Sequence, residues 1–135
     1  MPMRLIFNSK DSIILGCLFK RSNFFHRTIS LREIIQMADA FDRTAFEIEE
    51  LNEALLKLEF LGFLKIKPNG IQITKSIKKL KRKQCSGYQK WYELVNCLKK
   101  ILEFHNAPDI EVDKPNIVTH GKYDVEIVQR KSNGK

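Results

Sequence analysis

The sequence predicts a mainly α-helical protein with one small β-hairpin, an α+β fold. Three observations support this class: a helical pattern across residues 45–61, a hairpin pattern across residues 63–74, and two further helical patterns upstream. Apolar residues recur every three or four positions in the helical segments and alternate in the hairpin, as each structure requires to bury one face. The expected order is therefore helix, helix, helix, hairpin.

The longest of these helices is predicted over residues 45–61. Thr44 and Glu47 form an S/T-x-x-E pattern, which satisfies unpaired amides at a helix start. The apolar stripe of this helix consists of Ile48, Leu51, Leu55 and Leu58. Gly62 follows, and glycine favours a helix C-terminus because it adopts a left-handed conformation without strain.

A hairpin is predicted directly after this helix, around Pro68-Asn69-Gly70. Asn-Gly between alternating apolar residues is a strong hairpin signal, because both turn positions need positive φ. Taking Asn69-Gly70 as a two-residue loop places Ile66 opposite Ile73. The face predicted to point inward carries Leu64, Ile66, Ile71 and Ile73.

Two helices are predicted upstream of residue 44. Residues 3–7 suggest a short strand or an extended arm, and Ser9 can cap a helix whose almost uniformly apolar part, residues 12–20, favours burial. Ser30 and Glu33 form a second capping pair. The helix that they begin directs Leu31, Ile34, Ile35 and Ala38 inward. Residues 41–43 then connect it to Thr44.

Residues after the hairpin form a basic run and a C-terminal appendage. Residues 75–83 predict a helix that buries Ile77 and Leu80 beneath a cationic surface. Residues 88–105 predict another helix, whose apolar seam either packs on the rest of the chain or pairs with a second copy. The seam residues are Tyr88, Trp91, Val95, Leu98 and Leu102.

The remaining C-terminal residues predict a loop followed by one strand. Residues 107–122 contain two prolines and a glycine and favour a loop, and residues 123–128 alternate as a late strand does. Residues 3–7 are one candidate partner for that strand. The chain thus divides into residues 1–83, the helical and hairpin unit with its basic extension, and residues 84–135, the packing or dimerisation appendage.

Composition limits the classes of protein to consider. The chain has 135 residues, of which 43% are hydrophobic, enough for a packed core. It has no apolar run of the ~20 residues that a membrane span requires, and its start lacks the charge order of a signal peptide. The three cysteines are widely spaced and form no C-x-x-C, so we expect no disulfide, no cysteine zinc site and a cytoplasmic location.

Charge is unevenly distributed along the chain. The net charge is +8, yet residues 31–62 carry −5, whereas residues 63–100 hold 11 basic residues and 1 acidic residue. A basic surface attracts polyanions, which makes nucleic acid the first partner to consider. The alternative is that these lysines keep the protein soluble.

The order of elements over residues 9–74 resembles the winged helix-turn-helix superfamily. The resemblance is carried by residues 29–40 (ISLREIIQMADA), 44–67 (TAFEIEELNEALLKLEFLGFLKIK) and 68–74 (PNGIQIT). It implies a DNA-binding transcriptional regulator, with the third helix in the major groove, the wing on the backbone and dimerisation through a helix after the wing. No enzyme activity is implied.

The third helix departs from that superfamily in its charge. Its predicted solvent face carries Glu47, Glu49, Glu50 and Glu53, which phosphates repel. We therefore expect the wing and basic run to make most of the contacts with duplex DNA. The candidate contacts are Arg43, Thr44, Asn52, Lys65, Lys67, Asn69, Lys75, Lys78, Lys79, Lys81, Arg82 and Lys83. Alternatively, the four glutamates dock a basic protein partner.

Catalytic and metal-binding patterns were not found. The three histidines, His26, His105 and His120, are far apart, and no H-x-x-x-H, P-loop, G-x-S-x-G or G-x-G-x-x-G occurs. Asp109, Glu111 and Asp113 alternate without the glycine of a calcium loop. We expect no enzyme, no metal and no cofactor.

Overall fold

A computed structural model describes residues 3–22, 28–85, 90–113, 117–120 and 125–127. These residues form five helices and three two-stranded antiparallel sheets, a mixed α+β arrangement. The helices are α1 (Ser9–Ser22), α2 (Leu31–Asp42), α3 (Ile48–Phe60), α4 (Lys75–Gln84) and α5 (Trp91–Phe104). The strands are β1 (Met3–Leu5), β2 (Leu64–Lys67), β3 (Gly70–Ile73), β4 (Ala107–Val112), β5 (Val118–His120) and β6 (Val125–Ile127). The predicted order of helix, helix, helix, hairpin is confirmed.

Helix α1 lies in the middle of the core, as its apolar sequence predicts. It contacts α2, α3 and α5. Close packing against α5 depends on Gly16, because a Cβ at this position would lie 3.1 Å from the Trp91 ring and 3.3 Å from Val95. The cap is Asn8 instead of Ser9: its Oδ1 accepts hydrogen bonds from the Lys10 and Asp11 amides, at 2.9 and 3.3 Å.

Helices α2 and α3 begin with reciprocal caps. The predicted pair at α2 is confirmed, since the Glu33 amide donates to Ser30 Oγ at 3.2 Å. At α3 the predicted cap is wrong. The helix begins at Ile48 and Glu50 Oε1 accepts from the Glu47 amide at 2.9 Å, whereas the Thr44 hydroxyl donates to Asp42.

Helix α3 ends at Phe60, and Gly62 forms the predicted glycine turn after it. This glycine has φ +78°, and its amide donates to Glu59 O while the Phe63 amide donates to Leu58 O. These two bonds form a Schellman motif, which pairs the last carbonyls of the helix and turns the chain into β2.

The β2–β3 hairpin has the predicted inward face but a different turn. Ile66 pairs with Ile71, and Leu64 pairs with Ile73, so Pro68-Asn69 forms the two-residue loop in place of Asn69-Gly70. The predicted register is wrong by two residues, and a shift by an even number leaves every side chain on the same face. The predicted inward face is therefore confirmed.

A third chain segment joins this hairpin through Ile29. The Ile29 and Ile71 backbones exchange two hydrogen bonds of 2.7 Å. Gly70 permits this approach, because a Cβ there would lie 2.4 Å from Ile29 O, and its φ is +151°. The segment before α2 is thus fixed to the hairpin that follows α3.

Helix α5 packs inside the same core. Leu98 and Leu102 are fully buried, and Trp91 and Val95 contact Gly16 of α1. The seam is therefore used for packing within the chain, and a dimer formed through its buried residues is contradicted. Tyr88, the first predicted seam residue, lies outside the described residues. Residues on both sides of position 84 contribute to one core cluster.

The predicted late strand is confirmed over Val125–Ile127, but the predicted loop before it and its predicted pairing are wrong. Residues 107–122, expected to be a loop, contain β4 and β5. Strand β1 pairs with β4, whereas the late strand β6 pairs with β5. The loop prediction was based partly on the prolines at 108 and 115. Proline does not exclude a strand, because it is tolerated at exposed strand edges. The other residues of the predicted late strand, 123, 124 and 128, lie outside the described ranges.

A disulfide between Cys85 and Cys97 contradicts the expectation of none. It joins the end of α4 to the middle of α5. The sequence separation of 12 residues carries no local signal, since packing of one helix on the other brings the sulfurs together. Cys17 is the free cysteine among the described residues, and burial raises its pKa to about 12, which keeps the thiol protonated.

Candidate nucleic-acid interface

Helix α4 presents one continuous cationic face. At 3.6 residues per turn, five basic side chains fall within an arc of about 140°, centred opposite Ile77. They are Lys75, Lys78, Lys79, Arg82 and Lys83, and we call them the α4 cationic face. Lys78 is half-buried and the other four are exposed. Helix α4 contains no acidic residue, so no carboxylate on the helix itself offsets these charges.

The opposite face of α4 holds the helix on the core. Ile77 is completely buried, and Leu80 packs against the core cluster. The Lys81 ammonium lies 5.6 Å from the centre of the Phe19 ring in α1, a cation–π contact. Lys81 therefore flanks the cationic face, and its side chain contributes to packing as well as charge.

The β2–β3 hairpin, at the position of the predicted wing, adds cations next to α4 in the chain. Lys65 and Lys67 are exposed on the outward face of β2, opposite the buried inward face. Thr74 links β3 to α4, and the Thr74 and Ser76 hydroxyls both donate to Gly62 O, at 2.6 and 3.0 Å. These two bonds fix the start of α4 against the end of α3.

Asn69 lies at the tip of the wing and borders a cleft. The cleft has a volume of about 380 Å³ and lies between the wing turn, the start of α2 and β6. Its lining residues are Ser30, Leu31, Arg32, Pro68, Asn69, Val125, Glu126 and Ile127. Asn69 is exposed, so its amide is accessible from the wing side.

Arg43 and Thr44 lie in the turn between α2 and α3. Arg43 is exposed and adopts the left-handed conformation with φ 51°, which ends α2. The Thr44 hydroxyl donates to Asp42 Oδ2 at 2.6 Å, and Asp42 Oδ1 accepts from the Trp91 indole at 2.9 Å. A carboxylate therefore stands beside both residues, which makes this turn a weaker anion site than α4.

Asn52 does not belong to any nucleic-acid surface. It is 1% exposed, and its Oδ1 accepts a hydrogen bond of 2.7 Å from the Ile117 amide at the start of the β5 region. Its Nδ2 has no hydrogen-bond partner. The predicted DNA contact is wrong because β5 packs against α3, and the sequence had indicated a loop there.

The exposed surface of α3 is narrow and acidic. Leu56 and Lys57 are both buried and lie about 100° apart around the helix. They form the two edges of the exposed strip. Within that strip lie Glu49, Glu53 and the half-exposed Phe60. No basic side chain of α3 is exposed, since Lys57 is its one lysine. Insertion of this helix into a major groove receives no support from the geometry.

The predicted acidic docking residues are partly used within the chain. Glu50 forms a salt bridge with Lys10, and hydrogen bonds from Lys10 and the Glu47 amide lower its pKa. Glu47 is exposed at the helix start. The acidic surface is therefore less negative than the sequence alone suggests.

A buried ion pair lies under this surface. Lys57 Nζ is 2.7 Å from Asp11 Oδ2, and the two side chains are 5% and 2% exposed. They border a small cavity of about 50 Å³. No group of three metal-ligating side chains occurs in the described ranges, and none of the helices described there is long and apolar enough to cross a bilayer.

Comparison with known proteins adds no relative from which function can be transferred. No protein-family model matches the chain, and no curated protein or solved structure is significantly similar to it.

Proposed function

We propose that this chain is a winged-helix protein that binds duplex DNA and regulates transcription, and that it grips the DNA through the α4 cationic face and the wing. The observation that carries this proposal is the α4 cationic face, five cations on one side of a helix that has no acidic residue. Sites of this kind bind the phosphate backbone through charge, with little dependence on base sequence.

The order of α1, α2, α3 and the β2–β3 hairpin supports the winged-helix part of the proposal. The backbone bridge from Ile29 to Ile71 adds to it, because it attaches the segment between α1 and α2 to the hairpin. A hairpin fixed in this way projects its outward lysines from a rigid base.

Binding through α4 differs from insertion of a recognition helix. Lys75, Lys79 and Lys83 are four residues apart, so they repeat about every 6 Å along one side of the helix. A helix lying along the phosphate backbone can place several such cations near phosphates, whereas the glutamates of α3 would be repelled.

The test is fluorescence anisotropy with a labelled duplex at about 50 mM salt, where charge-driven binding is strong. The variant K79A/K83A removes two exposed cations from the face and should weaken binding about tenfold or more, since each phosphate contact contributes to affinity. The matched control is K90A/K100A, which removes the same charge from two exposed lysines outside α4. Equal weakening by both variants would contradict a localised site.

A second candidate function is protein assembly through the acidic strip of α3. The exposed Phe60, 51% accessible, supports it because an aromatic residue among glutamates offers both apolar contact and charge to a basic partner. Reversal of charge in E49K/E53K distinguishes the two functions. It should leave DNA binding unchanged or stronger if α4 is the interface, and it should abolish capture of a basic partner if α3 is.

A further inference from the structure

Helix α4 is attached to the rest of the molecule at both ends. At its start, the Thr74 and Ser76 hydroxyls donate to Gly62 O. At its end, Cys85 is bonded through its sulfur to Cys97 of α5. Ile77, buried near the start, is the main apolar anchor between them.

Within the part of the chain that the structure describes, the second half of α4 has few other attachments. Past Ile77, Leu80 is half-buried and Lys81 contacts the Phe19 ring, whereas Arg82 and Lys83 are exposed. Like charges three and four residues apart also destabilise a helix. The dipole of helix α4 favours cations in its last turn, but salt screens that effect. The disulfide is therefore a covalent restraint on this half of the helix, and it adds to the contacts of Leu80, Lys81 and the buried Cys85 side chain.

We propose that the Cys85–Cys97 disulfide is a redox-sensitive clamp that keeps the second half of α4 ordered and so sets the strength of nucleic-acid binding. The binding consequence rests on the proposed function; the ordering of α4 does not. Oxidised protein presents the complete α4 cationic face. Reduced protein keeps Lys75 and Lys79 near the buried Ile77 but releases Arg82 and Lys83.

The reducing partner is a dithiol. One of its thiolates attacks a sulfur of the pair, most readily that of the half-buried Cys97, and forms a mixed disulfide while the Cys85 thiolate leaves. The second thiol of the partner then displaces Cys97 and closes a cyclic disulfide. The protein gains two electrons and two protons as two thiols, and the dithiol loses the same number.

Release of the helix end lowers affinity through geometry and entropy. Arg82 and Lys83 keep their charges but lose their fixed position beside Lys79, so binding must order them again. We expect reduction to weaken duplex binding about fivefold, the lower end of typical coupling between two sites.

The first experiment measures hydrogen exchange of the α4 amides in the full chain, before and after reduction with dithiothreitol and alkylation with iodoacetamide. Faster exchange in residues 80–84 after reduction, with the core of α1 unchanged, supports the clamp. Unchanged exchange in residues 80–84 overturns it. So does purified protein with three free thiols after non-reducing denaturation, because the clamp requires the disulfide.

The second experiment measures duplex affinity of the same two samples and of C85S/C97S, with C17S as the control that keeps the disulfide. Circular dichroism verifies that each variant is folded. Weaker binding by the reduced protein and by C85S/C97S, but not by C17S, supports the link to binding. Equal binding by oxidised and reduced protein overturns that link. If oxidised protein does not bind duplex at all, the proposed function and the link both fail, and the exchange result still decides the clamp.

Discussion

Single residues join segments that are far apart in the sequence. Lys57 of α3 donates to Asp11 at the start of α1 and, at 2.9 Å, to Ile6 O. Asp11 Oδ2 also accepts from the Asn8 amide at 2.7 Å. Burial raises the pKa of Asp11, and the Lys57 charge opposes that rise. The attraction between the two charges therefore offsets the cost of burying them, and each charge requires the other.

Removing one member of this pair should be costly. K57M leaves the Asp11 carboxylate buried without its cation, and loss of one partner of a buried pair costs about 3–5 kcal/mol. The measurement is urea unfolding followed by circular dichroism. K100M, at an exposed position, is the control and should change stability by less than about 0.5 kcal/mol. A loss of under about 1 kcal/mol in K57M would show that Asp11 does not depend on the Lys57 charge.

Substitution of two glycines separates the cost of backbone strain from the cost of a steric clash with neighbouring atoms. Gly62 and Gly70 both have φ in the region that disfavours other residues, but space around Gly62 is open whereas Gly70 lies against Ile29 O. G62A should cost about 1–2 kcal/mol from its backbone conformation alone. G70A should cost clearly more, because it also disrupts the Ile29–Ile71 bridge. Equal losses in thermal unfolding would show that the bridge contributes little.

Secondary-structure elements show which sequence signals were sufficient. The Ser30–Glu33 box and Gly62 were correctly predicted, because each acts within four residues. The cap of α3 was not, because Thr44 and Glu47 match the S/T-x-x-E pattern, whereas the true cap, Glu47, is not one of the residue types that mark a helix start. The inward face of the β2–β3 hairpin was predicted correctly although its turn was not. The alternation of apolar residues in β2 and β3 determines the face, whereas the loop determines the register.

The contributions of Ser30 and Thr44 to stability can be compared directly. S30A removes the acceptor for the Glu33 amide and should cost about 1 kcal/mol. T44A removes a hydroxyl that bonds Asp42 outside α3 and should cost less than half as much. Chemical denaturation of both variants provides the measurement. A larger loss in T44A would indicate that α3 begins near residue 45 after all.

Contacts of the whole molecule could not be predicted from the sequence. The pairing of β1 with β4, the disulfide and the Asp11–Lys57 pair all depend on where distant segments meet. The same holds for Asn52, which looks like a polar surface residue of a helix until β5 covers it. The helix and the basic face of α4 were predicted better, because they depend on helical spacing within one short segment.

These whole-molecule contacts also decide which surface is available for binding. Strand β5 packs on one side of α3, while the Lys57–Asp11 pair ties another side to α1, which leaves the acidic strip exposed. Helix α5 is fixed in the core by Leu98 and Leu102. The α4 cationic face lies outside these contacts, so it remains accessible for the proposed binding.

The salt dependence of duplex binding tests whether the α4 cationic face is the interface. Neutralising phosphates releases counterions, so the slope of log affinity against log salt is about −0.9 for each phosphate contact. If the four exposed cations of the α4 cationic face each contact a phosphate, the slope is about −4 for the wild-type chain and about −2 for K79A/K83A, which loses two of these contacts. K90A/K100A should remain close to wild type. A slope that K79A/K83A leaves unchanged, or no binding by folded protein at low salt, would contradict binding through the α4 cationic face.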